Sequence, residues 1–367
     1  MLNNKTIAVV IPAYNEEKQI GMVIETMPDF VDRIIVVNDC STDKTADIVK
    51  HYIEKDKKKT IKIENVLHKV QQKKYNYSEI VLQQQLNKEL SCFPDSEIYK
   101  NDTDDKRIVL INELKNNGVG AAIARGYKWC KDYNIDCIAV MAGDGQMDPD
   151  ELKSICRPVV EDNIDYVKGN RLIHRSSLLV IPKIRYSGNS VLSILTKVAS
   201  GYWHVSDAQA GYTAISNKAL NSIRIHKIYK KYGMPNDMLV KLNIAFCSIK
   251  EVEIKPIYNI GENSKMKIYK VIFPILWLLF KSFFKRLWIK YLFRDFHPLF
   301  LFYNISFVLF GFSIPFLIYI IEKVATKGDM IVSNNLIVFI FLIISSFQFL
   351  FFAMWMDIQD NERLYKL

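Results

Sequence analysis

Residues 138–149 read IAVMAGDGQMDP, and this stretch decides how the rest of the chain is interpreted. A short apolar run, typical of a buried strand, leads directly into a glycine-containing loop that carries Asp144, Gln146 and Asp148. Oxygen side chains at alternate positions after a strand suit Mg2+ or Mn2+ carrying a phosphorylated substrate, because these ions keep coordination positions open for phosphate. The alternative is an ordinary strand-to-helix turn, in which Asp148 and Pro149 begin the helix.

The same strand-then-helix rhythm runs through most of the first 265 residues. Apolar runs rich in branched residues alternate with helical patterns, which predicts an α/β domain with a mainly parallel sheet. The strand patterns lie at 6–11, 33–37, 108–111 and 137–141, and the helical patterns at 19–27, 43–51, 120–131 and 149–160. Polar loops at 12–17, 38–43 and 143–148 follow three of these strands. Ligands of such sheets bind at the carboxyl ends of the strands, so we expect the site at this edge.

Between residues 54 and 107 the rhythm is interrupted by a Lys- and Gln-rich stretch that ends in an acidic cluster. We interpret this stretch as an insertion into the domain. Its charge and low aliphatic content favour a mobile, solvated segment, with partial helix formation as the alternative.

The composition changes near residue 268, and the second part of the chain is predicted to lie in a membrane. Residues 299–321 and 336–356 carry no charge, and each run is about long enough to cross a bilayer. We therefore assign 1–265 to a soluble domain, 297–358 to a two-helix hairpin and 359–367 to a tail. Lys and Arg crowd the side of the hairpin nearer the soluble domain. This charge bias predicts a multi-pass protein of the plasma membrane with its domain and tail in the cytoplasm.

Residues 266–296 mix apolar clusters with basic residues, in runs too short to span a bilayer. This pattern predicts one or two juxtamembrane helices lying in the headgroup region. The alternative is a basic amphipathic helix that packs on the domain itself. The formal charge of +10 fits an anionic membrane surface or phosphate substrates, and no nucleic-acid motif accompanies it. The six cysteines are scattered without a CxxC pair, which fits a reducing compartment.

The first two polar loops could recognise a nucleotide. Pro12 follows a strand, and Tyr14 and Glu16 come next, so a rigid turn could stack a ring on a base and bond ribose hydroxyls. Asp39 ends the next strand in the same way. All four residues could instead form helix starts, but a fold gains little by collecting acids at three neighbouring strand ends.

Seven motifs, read in order, carry a resemblance to a known family: PAYNEE, NDCSTD, GVGAAIARGY, GDGQMDP, KGNR, DAQAGYTAIS and ENSK. Together they resemble the family 2 glycosyltransferases of GT-A fold. Within that family the chain is similar to the polyprenyl-phosphate glycosyltransferase branch, which includes the dolichyl-phosphate mannose synthases. The resemblance covers about 6–50 and 108–267, and it implies a nucleotide-diphospho-sugar transferase fold with a mixed, mainly parallel sheet flanked by helices.

On the donor side, the resemblance implies that Pro12, Tyr14, Glu16 and Asp39 hold a UDP- or GDP-linked sugar. It also implies that Asp144 and Gln146 bind Mg2+ or Mn2+ on the diphosphate. The family usually reads Asp-x-Asp-Gly-Gln here, whereas this chain has Ala142 at the first acidic position. Either diphosphate and water complete the coordination of the metal, or catalysis is weakened.

On the acceptor side, the resemblance implies that Arg171 contacts phosphate and that Ser264 and Lys265 lie beside the acceptor. Arg185 belongs to the same run of cations after the metal loop and is a further phosphate ligand or a surface cation. Asp207 either orients a sugar hydroxyl or caps the next segment.

Asp237 lies where related enzymes carry an acid before a core helix. There it would act as a base toward a hydroxyl acceptor and only position groups toward a phosphate acceptor. A phosphate is already ionised near neutral pH and needs no base.

These observations predict an inverting, metal-dependent glycosyltransferase that moves a sugar from a nucleotide diphosphate to a polyprenyl phosphate, undecaprenyl phosphate in a bacterium. Two alternatives remain open: a membrane glycosyltransferase with a saccharide hydroxyl acceptor, and a catalytically weakened membrane scaffold. The expected partners are the donor, the lipid and the bilayer, and assembly into a homo-oligomer stays open.

Overall fold

The computed structural model describes residues 1–56, 62–63, 73–100, 105–258, 268–327 and 334–366. One eight-stranded sheet lies at its centre, in the order β3-β4-β2-β1-β5-β7-β6-β8. The strands are β1 (Ile7–Ala13), β2 (Arg33–Asn38), β3 (Ser96–Ile98), β4 (Ile108–Glu113), β5 (Cys137–Val140), β6 (Tyr166–Asn170), β7 (Thr213–Ser216) and β8 (Ile249–Glu253). β4, β2, β1 and β5 run parallel, as do β6 and β8, whereas β3 and β7 are antiparallel to their neighbours. The mixed sheet confirms the predicted α/β class.

Helices cover both faces of the sheet and then continue into the second part of the chain. They are α1 (Ile20–Glu25), α2 (Thr45–Lys55), α3 (Tyr77–Glu89), α4 (Val119–Asp132), α5 (Leu152–Val160), α6 (Ser177–Val180), α7 (Lys183–Ser200), α8 (Asn217–Ser222), α9 (Met234–Ile244), α10 (Ile268–Trp288), α11 (Pro298–Lys327) and α12 (Asn334–Glu362). Short 3-10 turns lie at Leu90–Cys92, Pro149–Glu151 and Ile225–Lys227, and a π-helical turn at Ile289–Arg294.

Alternation along the strands divides the core into two layers. Val10 and Ile35 face one layer, and their neighbours Val9 and Ile34 face the other, because successive strand side chains point to opposite faces. All four are fully buried. Gly126 lets α4 approach β1 closely, since a Cβ there would lie 2.4 Å from Val10 Cγ1. The parallel register places the carboxyl ends of β1, β2 and β4 side by side, so the loops that follow them meet at one edge.

The inserted stretch is more ordered than the sequence suggested. Within it, the described residues 73–100 form α3, a 3-10 turn and β3, which pairs antiparallel with β4. The Lys128 ammonium on α4 donates to Leu86 O at 3.2 Å, and Lys131 pairs with Glu89 at 3.0 Å. The alternative of partial helix formation is therefore correct for this part, and α3 is largely exposed to solvent, as predicted. Composition misled because polar contacts with α4, instead of apolar burial, hold α3.

The two apolar runs form a helical hairpin, as predicted. α11 and α12 are each long and apolar enough to cross a membrane, and most of their side chains face outward. Ser306 Oγ donates to Ser346 O at 2.9 Å, and Ser346 Oγ donates to Ser306 O at 3.0 Å. These reciprocal bonds between small residues fit helix packing in a medium that offers no water.

The juxtamembrane segment forms one long helix, α10, which packs on the domain. Its residues Ile275 and Leu279 contact Ala199 of α7. The opposite face exposes large apolar side chains, among them Phe273 and Trp277. The packing anticipated as the alternative is thus present, and the outward face leaves the predicted headgroup contact open.

A buried ion pair joins the hairpin to the domain. The Arg286 guanidinium of α10 donates two hydrogen bonds of 2.7 Å to Asp357 near the end of α12. It also donates to the carbonyls of Val198 and Ala199 on α7, both at 3.0 Å. Both charged side chains are fully buried. One guanidinium thus connects three helices.

After α12 the chain returns to the sheet. Ile249 N donates to Leu364 O at 2.7 Å, and Lys366 N donates to Ile249 O at 2.8 Å. Tyr365 therefore forms a single parallel bridge with Ile249 at the start of β8, and the segment predicted as a tail is docked.

We expect Asp357→Ala to lower the free energy of unfolding by about 3–5 kcal/mol, because it leaves the Arg286 charge buried without a counter-ion. The matched control is Arg363→Ala, which removes an exposed partner of Asp360 and should cost less than about 1 kcal/mol. Denaturant titration of the purified protein in detergent measures both. Equal losses in the two variants would contradict the role of the buried pair.

Candidate active site

The first two polar loops interlock at the sheet edge. Asn15, at a φ of 56°, accepts the Thr42 N–H at 2.8 Å and donates its own N–H to Ser41 Oγ at 2.9 Å. Glu16 N donates to Thr45 Oγ1 at 2.9 Å. The Tyr14 ring is exposed at the rim. The structure therefore brings three of the predicted nucleotide residues, Pro12, Tyr14 and Glu16, together beside the second loop.

Asp39, the fourth predicted nucleotide residue, also has a structural role at the start of α4. Its buried carboxylate accepts the N–H groups of Asn117 and Gly118, at 2.7 and 2.9 Å, and so fixes the start of α4. Gly118 has a φ of 94°, and a Cβ there would lie 2.6 Å from Lys230 O. The chain thus passes tightly between the second loop and the segment before α9.

Glu113 is a site residue that the sequence reasoning missed. It ends β4 beside Asp39, and its Oε2 accepts the Asn117 side-chain N–H at 2.9 Å. Burial, reinforced by the nearby Asp39 carboxylate, raises the pKa of Glu113 to about 7. The sequence does carry a signal for it, because Glu113 is an acid at the end of a third parallel strand.

The third loop presents Asp144 in a turn. Asp144 Oδ1 accepts the Gln146 N–H at 3.0 Å, and Gly145 adopts the φ of 75° that this turn requires. Asp148 is engaged elsewhere: its carboxylate accepts the Asp150 N–H at 3.0 Å and pairs with Lys255 at 3.3 Å. The helix-start interpretation is therefore correct for Asp148 and Pro149, and it leaves Asp144 as the carboxylate of the loop.

The donor set of this loop fits a hard cation that is only partly coordinated by protein. Asp144 and Gln146 offer side-chain oxygens, whereas Ala142 offers none, and its N–H bonds the Met147 sulfur at 3.2 Å. Across the described residues, no three His, Cys, Asp or Glu side chains cluster in a way that could hold a metal. An oxygen set this small suits Mg2+ or Mn2+ when phosphate oxygens and water complete the shell.

On the acceptor side, Arg171 and Asp207 form a bidentate pair. Arg171 Nε lies 2.8 Å from Asp207 Oδ2, and Nη2 lies 3.0 Å from Oδ1. Asp207 is fully buried, and a quarter of the Arg171 side chain is exposed. Burial by itself raises the pKa of Asp207, but the adjacent Arg171 charge outweighs it, and the pKa lies below its usual value.

Two further buried charges hold the Asp207 loop. Glu251 of β8 accepts the N–H groups of Ser206 and Asp207, at 2.9 and 3.1 Å. The Lys168 ammonium of β6 donates to Ala210 O. Burial lowers the pKa of Lys168 to about 8, although Asp207 and Glu251 act in the opposite direction. Glu251 was missed because its strand looks like an ordinary edge strand with alternating polarity.

Asp237 points away from this loop, and its neighbour Asn236 points toward it. Asn236 Oδ1 accepts the Gln209 amide N–H at 2.8 Å and the Thr196 hydroxyl at 3.1 Å. Asp237 Oδ2 accepts the Tyr229 N–H at 2.7 Å and pairs with Lys241. Of the two, Asn236 is joined to the acceptor-side cluster.

The remaining predicted acceptor ligands divide into two groups. Arg185 lies half-buried on α7, in the segment that follows Arg171. Ser264 and Lys265 fall outside the described residues.

Comparison with protein families identifies the chain. Residues 8–74 and 95–224, more than half of it, match the family described as glycosyl transferase family 2. The chain belongs to glycosyl transferase family 2. It is a glycosyltransferase with the mixed sheet and flanking helices of the GT-A fold, as the motifs predicted. The match skips residues 75–94, which contain α3 and lie within the predicted insertion of 54–107.

Curated relatives of this family 2 glycosyltransferase act on lipid phosphates, which confirms the predicted branch. It is 28% identical over 257 residues to a UDP-N-acetylglucosamine–dolichyl-phosphate N-acetylglucosaminyltransferase of Methanococcus voltae, covering 70% of this chain and 87% of the relative. It is 25% identical to an undecaprenyl-phosphate mannosyltransferase of Micrococcus luteus over 44% of this chain and 66% of that protein.

Solved structures that match the chain include glucosyl-3-phosphoglycerate synthase of Mycobacterium tuberculosis in complex with Mn2+, UDP and glucosyl-3-phosphoglycerate. That protein is 16% identical, with a TM-score of 0.46 over 77% of this chain and 80% of its own.

We expect glycosyl transfer to fall as pH rises through about 8, because Lys168 then loses the charge that holds the Asp207 loop. Lys168→Met should remove this dependence and lower the rate about tenfold, the lower end for a charge-assisted hydrogen bond. Measuring kcat/KM as a function of pH for the unaltered protein and for Lys168→Met tests this expectation.

Stability should move in the opposite direction. Between about 8 and the ordinary lysine value near 10.5, unfolded Lys168 keeps a proton that the folded protein has lost. Its contribution to the free energy of unfolding therefore rises with pH in this window. Denaturant titration of both proteins at pH 8 and pH 10 measures this difference. A wild-type activity profile that Lys168→Met leaves unchanged would exclude Lys168 as the titrating group.

Proposed function

We propose that this enzyme transfers a sugar from a nucleotide diphosphate to a polyprenyl phosphate, with inversion, at the cytoplasmic face of the plasma membrane. The observation that carries the proposal is the saturation of the acceptor-side acids. The Asp207 carboxylate accepts from the Arg171 side chain and from the N–H groups of Arg171, Gln209 and Ala210. Asp237 is likewise tied to Lys241 and a backbone N–H.

A carboxylate in this state is a poor general base. Its lone pairs are occupied, and the adjacent Arg171 charge lowers the pKa of Asp207. A hydroxyl acceptor needs a base, whereas a phosphate monoester arrives already ionised, with a second pKa of about 6. The geometry therefore favours a phosphate nucleophile, for which the protein's task is positioning. The exposed part of the Arg171 guanidinium supplies a cation for it.

On the donor side, Tyr14, Glu16 and Asp39 line the nucleotide end, and the loop of Asp144 and Gln146 lies at the end of β5 on the neighbouring strand. The M. voltae relative uses a UDP-sugar by its name, which favours UDP over GDP for this chain. Mg2+ or Mn2+ held by Asp144 and Gln146 would neutralise the charge that develops on the departing diphosphate.

The membrane assignment rests on the hairpin and on charge. α11 and α12 anchor the domain, and the basic residues on the domain side of α11 favour a cytoplasmic orientation. A lipid acceptor then shares the bilayer with the hairpin, while its phosphate meets the domain at the surface.

The direct test incubates the purified full chain in lipid nanodiscs with Mg2+, radiolabelled UDP- and GDP-sugars, and undecaprenyl or dolichyl phosphate. The expected product is a glycolipid that keeps one phosphate charge, formed from a UDP-sugar. Label found only on a saccharide hydroxyl, and lost in Asp237→Asn, would replace the proposal with the hydroxyl-acceptor alternative. If no donor reacts until Ala142→Asp is introduced, the chain is a weakened scaffold.

The metal assignment has a matched pair of variants in one loop. Asp144→Asn should lower kcat by about 100-fold or more, the size of effect seen when one charge-stabilising group is removed. Asp148→Asn makes the same chemical change at a residue engaged by Asp150 and Lys255, and should cost less than about tenfold. Initial rates at saturating Mg2+ provide the comparison. Equal effects would remove Asp144 from the metal site.

A further inference from the structure

The chain between Arg171 and Asp207 is a long excursion from the sheet, which we name the acceptor arm (residues 172–206). It leaves β6 directly after Arg171 and returns to β7 through the Asp207 loop. It contains α6 and α7. The two residues of the acceptor-side ion pair are therefore the two ends of one arm.

The tip of the arm exposes apolar side chains that a soluble domain normally buries. Leu178 and Leu179 on α6 are 67% and 89% exposed. Ile173, just before them, is 54% exposed. Three large aliphatic side chains within seven residues form a patch that marks an interaction site rather than scattered surface residues.

The apolar surface continues along α7. Val191, Ile194 and Leu195 are exposed and lie at helical spacing i, i+3 and i+4, so they form one stripe. The opposite side of the helix is buried, with Ser193 and Thr196 facing the domain. α7 is thus amphipathic with its apolar stripe exposed. A helix on the surface of a soluble domain normally has the opposite orientation, with its apolar side against the core.

The charge of this region is of one sign. Residues 166–206 contain no Asp or Glu and six Lys or Arg. Three of these, Arg175, Lys183 and Arg185, flank the apolar tip. Exposed apolar side chains with cations beside them in sequence match the interfacial region of an anionic leaflet, where each basic residue near the surface adds to binding.

The arm is also continuous with the membrane part of the chain. Ala199 of α7 packs on Ile275 and Leu279 of α10, and α10 leads into the hairpin. The outward face of α10 exposes Phe273 and Trp277, so two neighbouring helices each carry apolar residues that the domain leaves uncovered.

We propose that the acceptor arm binds the membrane surface. The α6 tip and the α7 stripe enter the headgroup boundary of an anionic bilayer, independently of the hairpin, and the flanking cations bind its phosphates. Because Arg171 and Asp207 are the ends of the arm, this contact places the acceptor side of the site at the lipid surface. That consequence rests on the proposed function, whereas the contact itself does not.

Membrane contact is tested with a fluorescent probe on the full chain. Leu179→Cys, in a background carrying Cys40→Ser and Cys92→Ser, is labelled with an environment-sensitive dye and placed in nanodiscs containing phosphatidylglycerol. We expect a blue-shifted emission and quenching by spin-labelled lipid about threefold stronger than that by aqueous iodide, as for a residue buried about 5–10 Å into the interface.

The matched control is Leu82→Cys, an exposed leucine on α3 outside the arm. Its probe should respond to iodide and not to spin-labelled lipid. A Leu179 probe that behaves like the Leu82 probe would overturn the proposal. A shift that persists in detergent and grows with protein concentration would also overturn it, because a second copy of the chain would then cover the tip.

A kinetic experiment distinguishes this inference from the proposed function. With polyprenyl phosphate in nanodiscs, Leu178→Ser/Leu179→Ser should raise KM for the lipid about tenfold and leave KM for the sugar nucleotide unchanged. Unchanged kinetics together with a shielded Leu179 probe would keep the membrane contact and remove its link to the acceptor. Absence of lipid glycosylation in the unaltered protein, with the probe still shielded, would reject the proposed function alone.

Discussion

The proposed acceptor side of this enzyme depends on one buried carboxylate, that of Asp207. Taking Asp207 out of water costs several kcal/mol, and the fold compensates with a bidentate arginine and backbone N–H groups. Each of these donors must then hold its own position. Glu251 fixes the backbone of the loop, Lys168 binds its carbonyl, and Gln209 reaches Asn236 on α9. Strands β6 and β8 and helix α9 therefore all contact the loop that carries the buried Asp207 carboxylate.

The donor side is built differently. There, the loops after β1 and β2 bond to each other, and Asp39 holds the start of α4. A nucleotide would meet a rim already assembled by side-chain caps. The loop of Asp144 is a tight turn, in which the half-buried carboxylate accepts the Gln146 N–H. The loops proposed to hold the nucleotide and the loop proposed to hold the cation thus follow neighbouring strands.

Sequence reasoning was effective where a residue acts through its own position on a strand or helix. Apolar runs rich in branched residues identified β1, β2, β4 and β5, and two uncharged runs identified the hairpin. It was less effective where the partner is distant in sequence. Glu251 lies 44 residues from the loop it holds, and nothing around it signals that role.

The prediction for the inserted stretch missed β3 and the contacts of α3 for a related reason. The composition of α3 predicts disorder, and an ion pair with α4, which is distant in sequence, holds it. Asp148 shows that a correctly recognised motif does not reveal the role of each residue in it. Two aspartates of one loop look equivalent in sequence, but in the structure Asp148 begins a 3-10 turn and pairs with Lys255.

The return of residues 364–366 to the edge of β8 has a consequence for biogenesis. The start of the β8 edge, at Ile249, is paired by chain that follows α12, so this position stays open until the hairpin has been made. An open edge is a template for pairing with other chains. The hydrogen bonds of Ile249 with Leu364 and Lys366 therefore form only after both helices of the hairpin and the segment behind them have been made.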